Sequence, residues 1–161
     1  MRRFITAVCV MGLVGAGATV ALAAMPPAHK SFSGSGGNYF NSGGAWKRNG
    51  TGSFHFTTSG RSYYGVKKFR EYIRTFRGTY TTSCNSGTLT AGGSWILIHP
   101  NGTFNVTFRG TSTHGATLRI WGDFTSGGAA KVNYLVNFKG TDTNPATVNS
   151  SCATWVHGTA R

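Results

Sequence analysis

Apolar and polar residues alternate with a period of two through most of the second half of the chain. "TFNVTF" places Phe104, Val106 and Phe108 on one side and Asn105, Thr107 and Arg109 on the other. "TLRIWGDF" aligns Leu118, Ile120 and Phe124, and "KVNYLVNFK" aligns Val132, Tyr134, Val136 and Phe138. Upstream, "SFHF" pairs Phe54 with Phe56. A period of two is the signature of a strand with one buried face. Pro100-Asn101-Gly102 and Ser126-Gly127-Gly128 punctuate these runs with turn residues. Short links between strands join antiparallel neighbours, so Ser94 to Lys139 reads as a meander. The expected fold is all-β, an antiparallel meander forming either a single β-barrel or a two-sheet sandwich.

Two stretches fit the pattern less simply. In "KKFREYIRTFR", Phe69, Tyr72, Ile73 and Phe76 have helical spacing, yet the segment runs into the strand-favouring Thr79-Tyr80-Thr81-Thr82. Residues 72–81 are assigned to a strand and 66–71 are left open. Residues 24–52 are rich in Gly, Ser, Asn and Pro and read as an N-terminal arm or loops. Phe32, Tyr39, Phe40 and Trp46 would pack part of that arm on an all-β domain covering residues 53–161.

A short tag recurs. "FRGT" begins at Phe76 and at Phe108, and "FKGT" begins at Phe138. Spacings near thirty residues suit alternate strands running the same way. Each cation in the tag follows an inward Phe, so Arg77, Arg109 and Lys139 are expected on one outer face, in a row at one end of the sheet.

The first residues change the picture of compartment. Arg2 and Arg3 precede an uncharged apolar run, which ends in Ala21-Leu22-Ala23. This is the layout of a secretory signal peptide over residues 1–23, cut after Ala23. The protein is therefore expected to be secreted, either extracellular or periplasmic and cell-wall associated. Cleavage removes Cys9 and leaves Cys84 and Cys152, which in an oxidising compartment form one disulfide.

Charge is one-sided. Of 16 Lys and Arg, two lie in the leader, so fourteen cations face three acids, a net of +11. Such a field concentrates anions at the surface. Five of the cations, Lys67, Lys68, Arg70, Arg74 and Arg77, fall within eleven residues. With Arg109 and Lys139 they form the candidate anion-binding set. Trp121, Trp95, Tyr63 and Tyr64 are the candidate aromatic contacts, because rings stack on sugars. Trp121 alternates with the apolar side of its strand and should point outward.

Catalysis has little to work with. Glu71, Asp123 and Asp142 are the only acids, and their spacing suggests no carboxylate pair. No nucleophile elbow and no zinc-ligand spacing occurs, so no catalytic residue, metal or cofactor is assigned. His55, His99, His114 and His157 belong to different strands or their edges. A secreted ribonuclease using Glu71 with His99 or His114 rests on residue availability alone. The expected function is a secreted, basic, non-catalytic binding domain. Its partner would be an anionic or carbohydrate surface: a cell-wall polymer, a glycan or an anionic lipid membrane, with no intracellular nucleic acid. The alternatives are a toxin or membrane-active β-protein, and a barrel that carries a small ligand.

Overall fold

A computed structural model describes residues 26, 28–62, 69–91, 95–109 and 116–161, except for the side chains of residues 61, 62, 69 and 70. The expected leader, residues 1–23, lies outside the described residues. Among the described residues there is no helix.

Nine strands follow in chain order: β1 (Ser31–Ser42), β2 (Ala45–Ser62), β3 (Phe69–Thr81), β4 (Ser86–Ala91), β5 (Ile96–Leu97), β6 (Thr103–Arg109), β7 (Thr117–Phe124), β8 (Ala130–Asn137) and β9 (Ala153–Ala160). They make one antiparallel sheet in the order β4-β3-β2-β1-β9-β8-β7-β6, with short β5 pairing β3 beside β4. The sheet curls into a half-barrel, so the fold is all-β, built from one sheet rather than from two stacked ones. The expected antiparallel meander is present in β6-β7-β8, with Val106 opposite Ile120 and Ile120 opposite Tyr134.

The concave face holds the core. Phe32, Phe54, Phe56, Ile73, Phe76, Phe104, Ile120, Phe124, Val132, Tyr134, Val136 and Val156 are buried there. Val106, Phe108, Leu118 and Phe138 pack against them half-buried. Rings meet across the curl: Phe32 of β1 and Phe56 of β2 both contact Phe124 of β7, at 5.3 and 6.2 Å between centroids. Tyr134 of β8 reaches the far wall. It lies edge-on to Phe76 at 5.5 Å, and its hydroxyl donates to the carbonyls of Thr79 and Ser53. The phenol is fully buried, and burial raises its pKa above the ordinary tyrosine value.

Gly78 makes that reach possible. A Cβ there would lie 2.9 Å from the Tyr134 ring. The glycine of the first "FRGT" tag therefore clears a path for a ring from the opposite wall.

The stretch from 31 to 52, expected as arm or loop, is instead β1 and the start of β2, close to the middle of the sheet. Its glycines have a packing cause. A Cβ on Gly36 would stand 1.8 Å from the carbonyl oxygen of His157 on β9. Glycine content here marks close backbone approach rather than a flexible linker.

Residues 72–81 are strand as expected, and the strand starts earlier, at Phe69. The helix-like spacing of Ile73 and Phe76 comes from a bulge. Thr57 pairs Arg74 while His55 pairs Arg77, so Phe56 faces both Thr75 and Phe76. Thr75 takes a left-handed φ of 53°. One extra residue moves the inward phase from i+2 to i+3, which imitates a helical turn.

The β8–β9 connection, residues 138–152, folds back over the convex face. Cys84 and Cys152 form the expected disulfide, with Cα atoms 5.3 Å apart, and tie this connection to the β3–β4 turn. Closing a loop of 68 residues stabilises the fold by about 4 kcal/mol in the chain-entropy model. Asn41 Nδ2 donates to the Val148 carbonyl at 3.0 Å, and Trp46 Nε1 donates to the Pro145 carbonyl at 2.7 Å. Under this connection Leu135, Val148 and Ala153 form a second buried cluster, flanked by Trp46, Trp121 and Trp155.

The cross-barrel contact gives a test. Tyr134→Phe should lose about 1–3 kcal/mol, the cost of removing a buried donor from two carbonyls. Gly78→Ala should cost a similar amount by displacing the ring. The double variant should cost less than the sum in urea denaturation, because both changes break one contact. Strict additivity would show that Gly78 and Tyr134 are independent.

Candidate functional site

The convex face carries the exposed chemistry. Outward residues align across strands in rows. One row runs Asn105 (β6), Trp121 (β7), Asn133 (β8), His157 (β9) and Gly37 (β1). The next runs Thr107, Arg119, Leu135, Trp155 and Tyr39. Trp121 is outward, as alternation indicated, and half-buried.

Rings from four strands gather here. The Tyr39 ring lies over Gly37 and stacks on His157 at 5.2 Å with planes 14° apart. Trp155 meets His157 at 5.0 Å and Trp46 at 5.9 Å. Trp155 Nε1 donates to Asn133 Oδ1 at 3.3 Å, which turns the Asn133 amide NH2 away from that contact. Tyr39, Trp46, Trp121, Trp155 and His157 are all half-buried.

Two concavities open on this face, one of them lined by Trp121. One, of about 560 Å³, is bordered by His99, Thr103, Asn105, Asp123 and Asn133. The other, of about 680 Å³, lies between the outer side of β6–β7 and the Thr141–Asn144 segment, with Arg109 and Arg119 on its wall. Asn105 borders both. The Arg119 guanidinium sits over the Trp121 ring at 4.8 Å, and its Nε donates to Asn105 Oδ1 at 3.1 Å.

The sequence-derived candidates divide. Arg74, Arg77, Arg109 and Lys139 are exposed. Lys67, Lys68, Tyr63 and Tyr64 lie outside the described residues, as does the side chain of Arg70. Trp95 is half-buried on the outer side of β3, edge-on to Tyr72 at 5.5 Å, with the Arg74 guanidinium 4.5 Å over its ring. It thus stands apart from the platform on β7, β9, β1 and β2.

The three tag cations do not form one row. Their strands run in one direction, and β6 and β8 do alternate, with β7 between them. Arg109 and Lys139 therefore share one end of the sheet. β3, however, is four strand steps from β8. Arg77 pairs His55, which pairs Ser33, which exchanges backbone bonds with Arg161 at the end of β9. That is the end where β8 begins, opposite Lys139. The tag spacing carried the strand direction but not the strand order.

Glu71, the acid within the cationic stretch, turns inward. It is 7 % exposed, and its Oε2 has no hydrogen-bond partner among the described residues. Burial raises its pKa above the usual carboxyl value, an effect opposed by the charge of His29. His99 is exposed at the β5–β6 turn, His55 accepts from or donates to Ser33 Oγ at 2.9 Å, and His114 lies outside the described residues. Among the described residues no cluster of three His, Cys, Asp or Glu side chains could hold a metal ion.

Comparison with family models, curated proteins and solved structures returns no match to this chain.

Glu71 gives a pH test. Between the ordinary and the raised pKa, the native state holds a proton that the unfolded chain has released. Stability therefore falls as pH rises through that window. Glu71→Gln should be more stable than the parent at pH 7, and the difference should shrink toward zero below about pH 4. Urea denaturation at both pH values reads this. An equal difference at both would show that the Glu71 carboxylate is not the cause.

Proposed function

We propose that the protein is a secreted, non-catalytic carbohydrate-binding domain that holds an extended glycan on the convex face of its half-barrel. The observation that carries this reading is the half-open ring platform of Tyr39, Trp155, His157 and Trp121, interleaved with the amides of Asn105 and Asn133. Rings present apolar faces to the C–H side of a pyranose, and amides hydrogen-bond its hydroxyls. From β7 to β1 the platform crosses three strand steps, about 14 Å at the usual strand spacing. That width suits several sugar units rather than one. The net positive charge draws an anionic polymer toward the face, as a long-range effect that salt weakens.

The concave side supports the outer reading over an interior ligand. Its rings contact each other across the curl, and Tyr134 ties one wall to the other.

Retention on immobilised polysaccharides is the test. Tyr39→Ala and Trp121→Ala should each weaken binding by about tenfold, near 1.4 kcal/mol. Part of the binding should persist at high salt, because stacking is not screened. Parent-like retention by both variants, or no retention on any glycan, would overturn the reading.

A further inference from the structure

The concavity between β6–β7 and the Thr141–Asn144 segment has a donor set that a neutral sugar would not need. Arg109 and Arg119 are diagonal outward neighbours: Thr107 pairs Arg119, and Arg109 lies two residues further along β6. Arg109 is exposed. Arg119 is fixed in place, with its Nε bonded to Asn105 Oδ1 at 3.1 Å and its plane over Trp121 at 4.8 Å. Among the described residues that is its only hydrogen bond, and it uses Nε. The two terminal nitrogens have no partner among those residues, and they form the fork that matches a planar carboxylate. A guanidinium already held by an amide and a ring loses little freedom when it takes a ligand.

The one acid on this wall, Asp142, makes its hydrogen bonds within its own segment and no ion pair with either arginine among the described residues. Asp142 Oδ1 accepts the Asn144 backbone N–H at 2.9 Å, and Oδ2 accepts from Thr147 Oγ1 at 3.0 Å. Both carboxylate oxygens thus serve to shape the segment. What remains around the space is mainly donors: two guanidinium groups, the Asn144 amide and threonine hydroxyls.

We infer that this concavity is a carboxylate subsite, where Arg119, with Arg109 beside it, holds the acid group of a hexuronate unit of the bound glycan. The inference rests on the glycan reading of the convex face and specifies its substrate class. Asn105 links the two: it positions Arg119 and also borders the space lined by Trp121. A polyuronate chain would then lie with its acid group on the arginines and its neighbouring units on the rings.

The experiment compares affinities of the full protein for polygalacturonate, its fully methyl-esterified form and polyglycerol phosphate. Arg119→Gln, Arg119→Lys and Lys47→Gln are measured beside the parent, and melting curves confirm that each is folded. Lys47 is exposed near the β1–β2 hairpin and controls for the loss of one charge. The parent should prefer polygalacturonate over the ester by about tenfold or more, the size of one charge-assisted contact. Arg119→Gln should remove most of that preference while leaving affinity for the ester within about twofold. Arg119→Lys should lose it as well, because an ammonium keeps the charge without the fork. Lys47→Gln should keep it. Equal parent affinity for the acid and the ester, or a parent-like Arg119→Lys, would overturn the carboxylate subsite. So would polyglycerol phosphate binding as tightly with the same dependence on Arg119, which would assign the arginines to phosphate. Binding to neither galacturonan, with no retention on neutral glycans, would instead overturn the reading on which the inference rests.

Discussion

The reach of Tyr134 across the half-barrel is the contact on which the rest of the architecture depends. An open antiparallel sheet has two faces and buries neither. This one must curl until a ring on β8 meets the backbone of β2 and β3 on the facing wall. Gly78 leaves the room, and the Phe76 and Phe54 rings close around the phenol. With the concave face so filled, the half-buried rings of Tyr39, Trp121, Trp155 and His157 lie on the convex face.

The convex face has been built up rather than left bare. The 138–152 connection lies over it, held by the disulfide, Asn41 and Trp46. A buried Asn38 helps fix the other side of this region. Its Nδ2 donates to the Asn49 and Thr81 carbonyls, and its Oδ1 accepts from Thr81 N–H and Thr154 Oγ1. A fully satisfied amide of this kind sets register, since a slip would leave it unpaired. The result is a rigid support for rings that come from strands far apart in sequence.

How much of this was legible depends on whether the cause was local. Alternation in β6, β7 and β8 could be read directly, because one face is apolar and the other polar, and it put Trp121 outward. The pairing of Cys84 with Cys152 followed from having two cysteines left. β1 was obscured because its glycines answer to the backbone of β9, a partner more than a hundred residues away. The bulge at Thr75 made a strand look like a helix turn. The platform itself had no local sign: Tyr39, Trp46, Trp155 and His157 meet only because β9 is inserted between β1 and β8. Arg119 carried a faint one, as an outward residue between Leu118 and Ile120. The same insertion separated Arg77 from Arg109 and Lys139.

The central claim is that the outer face, and not the filled interior, is the binding surface. An NMR titration of the isotopically labelled protein with a glycan that it retains tests this most directly. The account expects the indole Nε1–H signals of Trp46, Trp121 and Trp155 and the ring of Tyr39 to shift, while Phe56, Phe76 and Tyr134 stay in place. Shifts that begin at the interior rings and leave the three indoles unmoved would contradict it.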